Sequence, residues 1–128
     1  IMNISIRNNS EKPIYEQIAD AIKTSIINQE LQAGEILPSI RSLAKDLRIS
    51  VITTKRAYEE LEQQGFIETI PGKGSYVAIQ NTEFIKEEHR RQIEKLLTEM
   101  VHLAKHADIS QEELQTLLNL FYEEDTYE

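Results

Sequence analysis

Pro38-Ser39-Ile40-Arg41-Ser42-Leu43-Ala44-Lys45-Asp46-Leu47-Arg48-Ile49-Ser50-Val51-Ile52-Thr53-Thr54-Lys55-Arg56-Ala57-Tyr58 is the stretch that decides the fold. Ser39, just past a proline, is placed to cap a short helix that turns Ile40, Leu43, Ala44 and Leu47 inward and ends near Arg48. Ser50 follows almost at once and opens a second helix, with Ala57, Tyr58 and Leu61 inward and Gly65 as its stop. Two short helices joined this tightly predict a helix-turn-helix.

Working outward, Ile14, Ile18, Ile22 and Ile26 form one stripe of an amphipathic helix from about Pro13 to Asn28. On the other side, Phe66–Ile70 and Ser75–Ile79 are β-prone runs separated by Pro71-Gly72-Lys73-Gly74. Pro followed by Gly suits the centre of a type II turn, so this segment is expected to be a β-hairpin.

The rest changes character. From Thr82 to Ala107 there is neither Gly nor Pro, and Ile93, Leu96 or Leu97, Met100, Leu103 or Ala104, and Ala107 recur at helical spacing as one seam. Ser110 and Glu113 form a capping box, stapled by Ile109 and Leu114, for a last helix expected to bury Leu114, Leu117, Leu118 and Phe121 before the acidic tail from Glu123 to Glu128. The expected fold class is mainly α with a β-hairpin wing (α+β). A winged helix-turn-helix over residues 8–79 is followed by a short two-helix dimerisation segment over 80–128. The seam through Ile93, Met100 and Leu103 suits an intramolecular core or a dimer interface; because two helices alone bury little, Ile93, Leu96, Leu97, Met100, Leu103, Leu114, Leu117, Leu118 and Phe121 are read as a homodimer interface.

The 128 residues leave no room for a two-domain enzyme. With 40% hydrophobic residues the composition is that of a foldable chain, and the absence of cysteine excludes disulfide scaffolds, thiolate metal sites and thiol nucleophiles. No apolar run approaches the roughly 20 residues of a membrane span. The stretch from Ile1 to Arg7 lacks the basic-then-apolar pattern of a leader, so no membrane partner and a cytoplasmic location are expected. Pro71–Gly74 is not a P-loop, because Ile67 stands where the first glycine is needed and no helix follows; Val77 replaces the third glycine of a dinucleotide fingerprint. With no clustered carboxylate pair and no nucleophile–base set, an enzyme is not expected, nor is any cofactor. His102 and His106 stand one helical turn apart with Glu99 a turn earlier, a spacing that suits a metal. Lacking a third strong ligand, they are read as exposed or interface histidines, and no metal is expected.

The 14 Lys+Arg and 22 Asp+Glu give a formal net charge of -8, which by itself argues against a nucleic-acid partner. Its distribution reverses the argument. Residues up to Ile79 are nearly neutral, with nine basic against ten acidic side chains, whereas the remainder has five against twelve. Between Ile36 and Tyr58 the basic residues Arg41, Lys45, Arg48, Lys55 and Arg56 face the single acid Asp46, so the helix-turn-helix is a basic patch in an acidic chain.

The run Ala33-Gly34-Glu35-Ile36-Leu37-Pro38-Ser39-Ile40-Arg41-Ser42-Leu43-Ala44, followed by Leu47, Ile49, Ser50, Thr53, Ala57-Tyr58-Glu59-Glu60-Leu61-Glu62, Gly65-Phe66-Ile67 and Gly72-Lys73-Gly74-Ser75-Tyr76-Val77, resembles the winged-helix DNA-binding domain of GntR-family bacterial transcriptional regulators. The resemblance runs from about Pro13 to Ala78. The short segment beyond it is similar to the YtrA subfamily, the smallest version of the family. The resemblance implies a homodimer on double-stranded DNA with two related half-sites, commonly controlling transporter genes; a repressor is expected, and no small-molecule effector is named.

Residues Val51 to Arg56 open the recognition helix, whose N-terminal end enters the major groove in such proteins. The DNA-contacting set is therefore Ser39, Arg41, Ser50, Val51, Ile52, Thr53, Thr54, Lys55 and Arg56, with Gly72, Lys73 and Gly74 at the wing tip. Arg41 carries the first expectation of base-edge or phosphate contact. Val51 and Ile52 depart from the family pattern: either they meet thymine methyls, or one of them turns inward and packs. The competing reading is a winged-helix module used for protein contact, without specific DNA binding.

Overall fold

The structure is a computed structural model that describes residues 4–125; residues 1–3 and 126–128, with the start of the N-terminal stretch and the end of the acidic tail, lie outside the described residues. The elements are α1 (Ile14–Ile27), α2 (Ile40–Leu47), α3 (Val51–Gln63), β1 (Ile67–Ile70), β2 (Gly74–Val77), α4 (Thr82–His106) and α5 (Gln111–Asp125). They group into two packing units, one ending at Lys86 and the other beginning at Glu87.

In the first unit α1 and α2 both pack on α3. The α1 stripe does what its spacing requires: Ile18, Ile22 and Ile26 are buried with Leu43, Ala57, Tyr58, Leu61, Phe66, Ile67 and Val77. Ser39 and Ser50 cap their helices, accepting from Ser42 N at 3.1 Å and from Thr53 N at 3.0 Å. Between them the backbone turns at Arg48, which adopts φ 58° and lets Ile49 N reach back to Ala44 O at 3.0 Å. Gly65 ends α3 in the same left-handed way, at φ 82°, with Phe66 N donating to Leu61 O at 2.9 Å. Phe66 thus closes a helix instead of opening β1, so the strand starts one residue later than the sequence suggests.

The hairpin pairs Ile67 with Val77 and Ile70 with Gly74. Lys73 N donates to Ile70 O at 2.9 Å across Gly72 at φ 78°, the type II geometry expected of Pro-Gly. A third edge was not apparent from sequence. Val77 N donates to Glu35 O and Leu37 N to Ser75 O, so residues 35–37 line β2 before the chain enters α2.

Asn81 Oδ1 accepts from Glu83 N to open α4. The division drawn after Ile79 falls earlier than the packing boundary, because Phe84 meets Phe66 with ring centroids 5.5 Å apart and Ile85 lies on the same core. In the second unit, a turn at Ala107–Ser110 joins α4 to α5, and Ser110 Oγ accepts from Glu113 N at 3.1 Å as the capping box requires. Val101, Ala104, Ile109 and Leu114 border an apolar depression at this turn. Of the seam, Ala104 is buried. The expectation that α5 buries Leu117, Leu118 and Phe121 is corrected: Phe121 is 63% exposed, Leu117 and Leu118 are exposed beside it, and Leu114 alone of that set is half-buried.

Candidate nucleic-acid interface

The first turns of α3 hold the densest group of sequence-expected contacts. Ser50 Oγ accepts from Thr53 N and donates to Thr53 Oγ1 at 2.8 Å, so both hydroxyls are engaged in shaping the helix start. Val51 is exposed and Ile52 is 80% exposed, so neither turns inward. Lys55 follows them at helical spacing and is exposed too, giving one outward face with two branched apolar side chains and one cation. Arg41, in the first turn of α2, is exposed.

Two members of the expected set do not join that face. Thr54 is fully buried, and its Oγ1 donates to Ser50 O at 3.1 Å; its position one turn before Tyr58 places it on the inner side of α3. Arg56 leans toward α1, its guanidinium 3.9 Å from the Tyr15 ring centroid and its Nη2 3.3 Å from Tyr15 Oη. Tyr15 was not among the residues picked from the sequence. It lies 41 residues away, and no local pattern connects the two.

At the wing, Lys73 is exposed between Gly72 and Gly74, and Tyr76 Oη donates to Lys73 O at 3.1 Å. Gly74 sits at φ 111°, so a side chain there would be strained in backbone, although the space beside Ile36 would admit a Cβ at ordinary contact distance. Between this loop and the start of α2 runs an open cleft of about 380 Å³ whose walls include Pro38, Ser39, Tyr58, Ile70 and Lys73. Tyr58 anchors its floor by donating to Pro38 O at 2.7 Å, and burial pushes its phenol up to about 12.

Electrostatically the patch is left open. Ion pairs join Lys12 to Asp20, Arg90 to Glu87 and Arg91 to Glu88, and among the described residues Arg41, Lys45, Arg48, Lys55, Arg56 and Lys73 form none. In a chain with an excess of acid, this leaves six cations of one unit for another partner. His102 and His106 stand edge to face, 4.8 Å between ring centroids, and no cluster of three or more metal-ligating residues occurs among the described residues. Among the described residues no helix is long and apolar enough to cross a membrane.

The face expected to dimerise is solvent-exposed in the single chain. Leu96 is 63% and Leu103 69% exposed, and Ile93, Leu97 and Met100 lie open with them.

Comparison with known proteins agrees with this geometry. The profile described as bacterial regulatory proteins, gntR family, matches residues 14–77. The chain is 33% identical over 111 residues to the HTH-type transcriptional repressor YtrA of Bacillus subtilis, covering 87% of this chain and 85% of that protein. It is 33% identical over 114 residues to the uncharacterized HTH-type transcriptional regulator YhcF of the same organism, covering 89% and 93%. A solved transcriptional regulator from Oenococcus oeni superposes with a TM-score of 0.72 at 29% identity, over 92% of this chain and 98% of that one.

Proposed function

The chain belongs to the GntR family of DNA-binding bacterial transcriptional regulators, and from that premise we propose that it acts as a homodimeric repressor reading an operator of two related half-sites, with transporter genes as the regulated class. The observation that carries this reading is the outward face of α3, where Val51, Ile52 and Lys55 stand together while every cation of the helix-turn-helix lacks an acid partner among the described residues.

In this reading the start of α3 enters the major groove. Val51 and Ile52 present methyl groups to thymine methyls and favour A·T-rich half-sites, while Arg41 forks onto a guanine edge. Lys73, on a loop kept narrow by Gly72 and Gly74, neutralises a backbone phosphate beside the groove. Two copies joined through the exposed apolar face of α4 and α5 supply the two half-sites. Each copy then adds its phosphate contacts, and the pair blocks whatever must occupy the same DNA.

The test is a titration of the protein against DNA from its own upstream region and against random DNA at several salt concentrations. Binding about a thousandfold or more tighter to the upstream DNA is expected, and equal binding to both would overturn the reading. Arg41→Ala is expected to cost about 1 to 3 kcal/mol on the upstream DNA alone, whereas Lys73→Ala weakens all DNA alike and lowers the salt slope by about one.

A further inference from the structure

Arg56 has two acidic neighbours at ion-pair spacing along its helix and pairs with neither among the described residues. Glu59 and Glu60 follow it at the helical spacings that form ion pairs. Glu60 instead accepts from Gln64 Nε2 at 3.1 Å, and no ion pair of Arg56 exists among the described residues. Its guanidinium lies on the Tyr15 ring, in the first turn of α1, at the edge of the α1–α3 packing. It therefore stands one helical turn behind Ile52, the more exposed of the two apolar side chains at the α3 tip, on the flank of the reading face.

A guanidinium held on an aromatic ring keeps the N–H donors at its edge available for an anion, and it has already surrendered the rotamer freedom that binding would otherwise cost. A phosphate is the anion this edge fits, because the fork matches its oxygens and the flank of a helix seated in the major groove faces the backbone. We propose that Tyr15 is a positioning residue for DNA contact, holding Arg56 beside α3 so that its unused donors meet one backbone phosphate. The inference rests on the DNA-binding reading above and adds a residue outside the helix-turn-helix to it.

The experiment is the same salt-dependent titration, on upstream and random duplexes, with Tyr15→Leu, Tyr15→Phe, Arg56→Gln and the Tyr15→Leu/Arg56→Gln double variant. Tyr15→Leu and Arg56→Gln should each weaken binding to both duplexes about tenfold and flatten the salt slope by about one. The double variant should bind no more weakly than Arg56→Gln alone, and Tyr15→Phe, which keeps the ring, should retain the wild-type slope. In the wild-type protein, the side-chain proton signals of Arg56 should carry the ring-current shift of Tyr15 both free and bound to DNA, a measurement that needs no substitution. The proposal is overturned if Tyr15→Leu lowers the melting temperature yet keeps the slope, if the two single losses add, or if the ring-current shift vanishes on binding. Failure of the wild-type protein to prefer or bind either duplex would instead remove the DNA-binding reading, and this inference with it.

Discussion

Thr53 and Thr54 are neighbours with opposite surroundings. Thr53 bonds to the Ser50 cap at the helix surface, while Thr54 is sealed in the core with its hydroxyl returned to Ser50 O. Thr54→Val keeps the shape and removes a hydroxyl whose acceptor is also bonded by Thr54 N, so stability by urea unfolding should change by less than about 1 kcal/mol. Its DNA affinity should be unchanged; a selective loss of affinity would show that the hydroxyl reaches the DNA. The burial of Thr54 was legible in the sequence, since residues 54, 58 and 61 repeat at the helical interval that already turned Tyr58 and Leu61 inward. The motif resemblance drew it into the contact set. The Arg56–Tyr15 stack was not legible, because a contact between distant turns of two helices depends on how those helices pack.

Among elements, the helix-turn-helix is fastened to the segment that precedes it by Tyr58, whose phenol donates from α3 to Pro38 O just ahead of the α2 cap. Tyr58→Phe leaves that carbonyl without its donor and should cost about 1 to 2 kcal/mol at neutral pH. Alkaline unfolding supplies a second readout. The phenol ionises near 10.0 when unfolded but only near about 12 in the fold, so the unfolded chain loses its proton first. The Tyr58 contribution is intact below pH 10 and is lost as pH climbs toward 12, and Tyr58→Phe should flatten the loss of stability in that window. An unchanged slope would contradict the burial of this group. Element boundaries were readable where side chains enforce them, as at Ser39, Ser50 and Pro71-Gly72. Three helices end on left-handed residues that are not glycine, Gln29, Arg48 and Asp108. The edge formed by residues 35–37 pairs through backbone groups, which every residue carries, and so leaves no signature in the sequence.

Over the whole molecule, charge and apolar surface are divided between the two units. The unit that holds the helix-turn-helix is nearly neutral, with the cations of that motif and of the wing in no ion pair among the described residues, and the α4–α5 unit is acidic with an exposed row of leucines. If that row joins two copies, the melting temperature should rise with protein concentration. Leu103→Glu, at a position 69% exposed, should cost the single chain less than about 0.5 kcal/mol. It should nevertheless convert a dimer into a monomer in sedimentation equilibrium, and a dimer that survives it would move the interface elsewhere. The most direct test of the account is footprinting of the wild-type protein on its own upstream DNA. The account predicts two protected half-sites related by symmetry, their centres about 10 base pairs or a multiple of that apart on one face of the duplex. A single protected patch, or even protection along the whole duplex, would contradict it.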